Sequence, residues 1–465
     1  MRIWFMAVSL LGEASAVGRL LEQPEGITFK NKRFMTYPML QPEDLHPVLT
    51  ETSQLAELFA ARGRRLFLVG GAVRDLVLGR DLESVDLDFT TDALPDEIKQ
   101  IVETTTSNLW TQGEKFGTIG CVIGGRGCEI TTHRKEAYDH DSRKPTVEFG
   151  KDITEDLARR DFTINSIAIE LPEGTLVDPF EGISAVNERV LATPLSAEES
   201  FSDDPLRMLR AARFVAQFNL TPTEEVVAAM SEMGDRLEIV SVERITDELE
   251  KTLLLEDPMG AFGLLVSTGL SSCIFGEGFA GRAVGKRLGQ LSPNLELRLA
   301  GLFMESEGSN TDEAREKLRF PKSMSRKATS IGDLAESWLR ILSESESESE
   351  SEAANLVVAL RRWKVSAGAS SELSRAAREL AAVVAGERGL SSQHAGLEKL
   401  YLENDVENLK MPVSGNEIME HLQLPPGPLV GEAIAHLNDI LIQKGQITKS
   451  EALEQVVAWW ADRHI

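Results

Sequence analysis

The sequence predicts an α+β protein, an N-terminal α/β head followed by an all-α remainder. Three observations predict it. Short apolar or alternating runs of strand length fall before Pro194. From Ala197 onward apolar residues recur at helical spacing and β-branched runs become scarce. Hydrophobic residues make up 42% of 465, so the chain can bury cores, and its length allows roughly two to four domains.

The elements follow in order. Residues 45–61 read as a helix. Leu66-Phe67-Leu68-Val69 is a buried strand closed by the turn Gly70-Gly71, and a helix begins at residues 73–79. Val85-Asp86-Leu87-Asp88-Phe89 alternates strictly and reads as a strand. Residues 98–105 are helical, 118–123 and 128–132 form a strand pair, and 164–170 is a further strand. Residues 197–465 are read as all-α. Ser343 to Glu352 is five Ser-Glu repeats, a solvated helix extension or loop that cannot bury surface.

Composition excludes several classes. The 49 Lys and Arg against 74 Asp and Glu leave a net charge of −25, so a generic electrostatic nucleic-acid binder is excluded and any such contact needs a local basic cleft. Three cysteines (Cys121, Cys128, Cys273) can form neither a disulfide framework nor an all-cysteine zinc site, and they suit a reducing cytoplasm. No apolar stretch is long enough to span a membrane. The run Trp4 to Leu11 imitates a secretion signal, but Glu13 and its short length argue against that. Residues 1–34 are read as an extension ahead of a start at Met35 or Met39.

The chemistry concentrates in Gly70-Gly71-Ala72-Val73-Arg74-Asp75 followed by Asp86-Leu87-Asp88. A glycine pair after a strand lets backbone approach a triphosphate, and the next helix turns its N–H groups toward an anion. Arg74 lies near the start of that helix. Asp86 and Asp88 are two apart on a strand, so both carboxylates leave one face. That arrangement suits two Mg²⁺ ions, which prefer oxygen ligands, about 3.5–4 Å apart in phosphoryl transfer. Either motif alone is more often a turn or a solvated strand face; the two together in this order favour a site.

With these motifs the chain resembles the class II tRNA nucleotidyltransferase and bacterial poly(A) polymerase family, within the polymerase-β-like superfamily. Asp156-Leu157-Ala158-Arg159-Arg160-Asp161-Phe162-Thr163-Ile164-Asn165 is similar to a second motif of that family. There the resemblance implies that Arg160 binds phosphates or ribose and that Asp161 and Asn165 organise the ribose end. Asp203-Asp204-Pro205-Leu206-Arg207, continuing through Arg210 and Arg213, resembles the base-reading motif and its helix, with Asp203 where the family usually has Glu. An aspartate accepting from an exocyclic amine, beside an arginine donating to ring nitrogen and carbonyl, imitates a Watson–Crick edge. Asp204 and Arg207 would read the base, and Arg210 and Arg213 would face the triphosphate. Glu129 is a candidate third carboxylate.

Glu243 to Leu249 resembles the family's neck helix, with Ile245, Leu249 and Leu253 on one apolar face. Residues 132–145 resemble its flexible loop, and the His140-Asp141 pair there reads as loop chemistry. Gly415-Asn416-Glu417 and Pro426 to Gly431 resemble the tail of some bacterial members. Many actinobacterial members carry an HD-type phosphohydrolase domain between neck and tail. At the equivalent place in Leu297 to Glu305 the His-Asp pair is replaced by Met304-Glu305, and no histidine occurs between His140 and His394. A degenerate HD region kept as scaffold is therefore expected.

The resemblance implies a polymerase-β-like nucleotidyltransferase head at 35–195 and a base-recognising neck at 196–260. A helical body at 261–410 and a tail at 411–465 follow. It implies Mg²⁺-dependent addition of CCA to the 3′ end of tRNA from CTP and ATP, in the cytoplasm, without a membrane. The alternatives are a poly(A) polymerase, a CC-adding or A-adding specialist, and a catalytically dead RNA-binding protein. The basic C-terminal extension of some poly(A) polymerases has no counterpart in this sequence. Recognition of tRNA shape through the helical half, with weak and steeply salt-dependent affinity, is expected from the charge.

Overall fold

In a computed structural model the described residues are 42–80, 82, 86–106, 108–135, 148–276, 279, 281–304, 317–344, 350–368 and 371–463. The N-terminal extension with its candidate starts, most of the 132–145 loop including His140-Asp141, Glu305 and the centre of the Ser-Glu run lie outside them. The chain divides into two compact units. The first runs to Glu248 and takes up Gly260–Ile274; the second is Leu249–Met259 with Phe275–Ile465.

The first unit is built on a seven-stranded mixed sheet of order β3-β4-β5-β2-β1-β8-β9. Its strands are β1 (Leu66–Val69), β2 (Leu87–Thr91), β3 (Leu109–Trp110), β4 (Thr118–Ile123), β5 (Arg126–Thr132), β8 (Ala168–Leu171) and β9 (Thr175–Val177). A separate ribbon pairs β6 (Arg134–Lys135) with β7 (Glu148–Phe149). Every residue of β1 is buried, as its unbroken apolar run requires of a strand covered on both faces. Strand β2 alternates as predicted: Leu87 and Phe89 are buried while Asp86 and Asp88 are exposed.

Helices α1 (Pro42–Ala61), α2 (Gly71–Val77), α3 (Pro95–Val102), α4 (Ile153–Ala158) and α5 (Gly182–Glu188) belong to this head. Pro95 opens α3, where its missing N–H costs nothing, and Ile98, Ile101 and Val102 form the buried side. Phe67, Val69, Ile153, Leu157 and Ala168 form a core cluster that seats α4 on the sheet. Residues 164–170 do not form one strand. Thr163–Asn165 is a 3-10 turn and β8 starts at Ala168, because the Asn165 side chain is held by tertiary hydrogen bonds that an extended backbone would break.

Next come α6 (Ala197–Asp203), α7 (Arg207–Phe218), α8 (Glu224–Glu232) and α9 (Val242–Leu253). Ser196 and Glu199 form a capping box on α6. Helix α7 buries Met208, Leu209, Ala211, Ala212 and Phe214, and Phe214 meets Phe162 edge-on at 5.7 Å. Burying such a phenylalanine contributes about 1.5–3 kcal/mol, so this contact fastens α7 to the head. One departure from an all-α run after residue 197 is β11 (Thr221–Pro222), paired in parallel with β10 (Val190–Leu191).

The second unit is helical. Helix α10 (Leu295–Phe303) carries Arg298, fully buried, which donates to the carbonyls of Leu253 (2.6 Å), Leu291 (2.9 Å) and Glu256 (3.0 Å). It thereby caps the C-terminal end of α9. Met304, at the end of α10, is buried, and its carbonyl accepts from Arg287 at 2.9 Å. Trp338 and Trp363 meet edge-on at 4.9 Å in the centre of the bundle. At the C-terminus Val413, Ile418, Ala433, Leu437, Ala452 and Val456 form a separate cluster. Ser414 with Glu417 caps the helix that begins at Gly415.

Candidate active site

Asp86 precedes β2 and Asp88 is its second residue, both exposed, and β5 runs parallel beside the strand. Asp88 lies directly opposite Glu129. Gly127 faces Asp86 so closely that an added Cβ would stand 2.7 Å from Oδ1. Any larger residue there would make that carboxylate shift. Loss of hydration against the surrounding protein pushes the Asp88 carboxyl up to about 6; Arg160 opposes this, and Glu129 and Asp86 add to it. Among the described residues no three His, Cys, Asp or Glu side chains converge closely enough to enclose a metal ion. Two adjacent exposed carboxylates, with a third on the facing strand, still fit a hard divalent ion that keeps waters and takes substrate oxygens.

The glycine turn lies at the end of β1. Gly70 has φ 73° and ψ −132°, a conformation open in practice to glycine alone. A Cβ there would also stand 3.1 Å from Nη1 of Arg160. Arg160 donates to Asp156 at 3.2 Å, and its buried Nε has no partner among the described residues. Burial alone would raise the Asp156 carboxyl, but Arg160, Arg159 and His133 hold it below the usual carboxylate range.

Arg74 is nearly buried. It donates to Asn165 Oδ1 at 2.6 Å, pairs with Asp75 at 3.1 Å, and lies 4.3 Å over the Phe218 ring. Asn165 donates in turn to Asp161 at 2.9 Å. The other oxygen of Asp161 accepts from Arg210 Nε at 2.9 Å and Nη2 at 2.6 Å. Four predicted residues (Arg74, Asn165, Asp161 and Arg210) therefore form one hydrogen-bonded chain linking α2, the 3-10 turn and α7. Burial would raise the Asp161 carboxyl; Arg210 and Asn165 outweigh it and hold it low.

Other predicted residues have partners outside that chain. Arg213 is buried and pairs with Glu248 on α9, and it donates to Gln217 at 2.7 Å. Arg207 donates to Ser200 Oγ at 2.9 Å and to the Arg159 carbonyl at 2.5 Å. Asp204 accepts from the Leu206 N–H at 3.2 Å and from Arg244 at 2.6 Å. The side chains of Asp204 and Arg207 thus have separate partners, while the Arg207 N–H donates to the Asp204 carbonyl at 3.0 Å. Arg244 and Glu248 were not among the predicted site residues. Their segment reads as a structural helix, and the signal for them was two charged residues bordering the apolar face of α9.

The chain matches the poly(A) polymerase head domain at residues 66–192 and the probable RNA and SrmB-binding site of polymerase A at residues 219–279. A CCA-adding enzyme of Geobacillus sp. (strain WCH70) is 44% identical over 211 residues, an alignment spanning 45% of this chain and half of that enzyme. A Lactobacillus johnsonii CCA-adding enzyme is 30% identical over 410 residues, covering 87% of this chain and 94% of the relative. The crystal structure of a Bacillus stearothermophilus CCA-adding enzyme in complex with CTP superposes with a TM-score of 0.67 at 26% identity, over 90% of this chain and 99% of that one. A carboxylate pair beside a glycine turn, on a chain similar to these enzymes over nearly its whole length, places it among nucleotidyltransferases that act on tRNA: the chain belongs to the CCA-adding enzyme family.

Proposed function

We propose that this protein completes the 3′ end of tRNA by adding CMP, CMP and AMP from CTP and ATP. The terminal 3′-hydroxyl attacks the α-phosphorus in line; the O3′–Pα bond forms, the bond to the bridging oxygen breaks, and pyrophosphate leaves. The observation that carries this reading is the exposed pair Asp86 and Asp88 facing Glu129, one strand away from the Gly70-Gly71 turn under Arg160. Divalent ions, read as two Mg²⁺ held by Asp86 and Asp88, would lower the hydroxyl pKa and clamp the leaving phosphates.

The chain's own residues position the reactants. Gly70 and Gly71 let the triphosphate approach backbone, and the Arg160 guanidinium, whose Nη1 lies beside Gly70, is a donor for it. Arg74 acts through Asn165, and Asn165 with Asp161 orders the ribose end. Arg210 ties that group to α7, so base recognition and phosphate binding are mechanically joined. Asp204 and Arg207 read the base edge by exchanging Arg244, Ser200 and the Arg159 carbonyl for substrate. Arg213, held by Glu248, supports α7 from behind. Catalysis is then mostly positioning and charge stabilisation.

Product analysis tests the reading. Incorporation of C, C and A, in that order, on tRNA lacking the trinucleotide is expected. Long runs of A on complete tRNA would overturn it. Substitution of Asp88 by alanine should abolish incorporation while leaving the melting temperature within about 2 °C, because an exposed side chain contributes little to stability.

A further inference from the structure

The sheet places four residues in one row. Asp88 is opposite Glu129, Glu129 is opposite Gly120, and Gly120 is opposite Trp110. Residues in direct register share a face. The row therefore starts at the proposed metal carboxylates and ends, three strands away, at an aromatic side chain. Trp110 does not stand upright. A Cβ on Gly120 would lie 1.9 Å from the indole ring, so the ring is folded flat over Gly120, back toward Glu129. The indole stays 37% exposed although Gly120 beneath it is buried. At strand spacings of about 4.8 Å its ring lies roughly 10 Å from β2, within reach of a single nucleoside lying between them.

A groove of about 270 Å³ opens on this side, lined by Trp110, Gln112, Phe116, Thr118, Glu129 and Arg134. Phe116 is 44% exposed. Arg134 lines the groove and donates from Nη2 to Thr118 at 3.0 Å. An exposed indole face, a second aromatic ring and a cation are the elements that hold a single-stranded nucleotide. The sheet order also separates two approaches. The glycine turn follows β1, on one side of β2, whereas the groove's strands β5, β4 and β3 lie on the other.

We propose that this groove seats the 3′-terminal nucleotide of the acceptor RNA, with its base stacked on Trp110 and its backbone near Arg134, presenting the 3′-hydroxyl beside Glu129. The proposal rests on the nucleotidyl-transfer reading above. Stacking tolerates any base, which suits an acceptor end that changes after every addition.

The test uses the full chain, CTP, and two tRNAs lacking the 3′ trinucleotide, one intact and one abasic at its terminal nucleotide. Incorporation by wild type on the intact tRNA tests the underlying reading; comparison of the two tRNAs tests the groove. The abasic acceptor should raise the RNA KM of wild type about 10- to 100-fold, the range of one lost base–aromatic stack. W110A should raise it equally on intact tRNA, leave the CTP KM within about twofold, and show little further loss on the abasic acceptor. W110F should recover most of the loss, and R134Q should raise the RNA KM and flatten its salt dependence. Equal use of both acceptors by wild type, which needs no variant to fold, would overturn the proposal. So would a W110A effect that falls on the CTP KM, or one that multiplies in full with the abasic effect.

Discussion

Replacing Asp161 with alanine tests the coupling between the head and α7. Its carboxylate accepts four N–H groups: the Phe162 backbone at 2.9 Å, Asn165 at 2.9 Å, and Arg210 at 2.9 and 2.6 Å. Breaking a buried pair from one side costs about 3–5 kcal/mol, because the remaining charge stays desolvated. Arg210 keeps 32% of its side chain exposed and has Glu248 4.0 Å away, so the loss falls to about 2–3 kcal/mol. Asp161→Asn keeps the shape and one acceptor and should cost about 1 kcal/mol. Amide exchange across Arg207–Phe218 reads this local stability directly. The pH dependence has a definite sign. The folded carboxyl is held below its ordinary value, so its contribution is complete above about pH 4 and fades as pH falls through the folded pKa. The deficit of Asp161→Ala should therefore shrink in acid. Exchange in Asp161→Ala within about 0.5 kcal/mol of wild type at pH 7 would refute the reasoning.

Other perturbations follow from the same geometry. Gly70→Ala meets both a glycine-only backbone angle and the Arg160 guanidinium, so it should cost about 1–3 kcal/mol and raise the nucleotide KM, measured by urea unfolding and steady-state kinetics. His133 is buried against Thr90 at 2.8 Å, and burial holds its imidazole below the usual range. The unfolded chain then binds the proton more readily, so the melting temperature should fall as pH drops below about 6.5, and less steeply in His133→Gln. Arg298→Leu strips the carbonyls of Leu253, Glu256 and Leu291 of a buried donor and should destabilise the helical unit by about 2–4 kcal/mol, read by calorimetry.

The legible parts of the chain were those governed by local pattern. The apolar run of β1 and the alternation around Leu87 and Phe89 placed the two aspartates on one exposed face because successive side chains of a strand point to opposite faces. The span 164–170 was misread as one strand because its apolar pattern says nothing of Asn165, whose bonds to Arg74 and Asp161 come from 91 residues upstream and four residues away. The partner of Arg213 was equally hidden: Glu248 is 35 residues downstream, and helical spacing shows which residues share a face without showing what lies against it. The row from Asp88 to Trp110 depends on three strand registers, which turns and packing set across separated segments.

The most direct test of the central claim is incorporation of labelled CTP and ATP into three tRNAs: one lacking the whole 3′ trinucleotide, one lacking only the terminal adenosine, and one complete. Wild type should add C residues to the first, A to the second and nothing to the third, and the Asp86→Ala/Asp88→Ala double variant should add nothing to any. No incorporation by wild type, or incorporation by the double variant equal to wild type, would contradict the account.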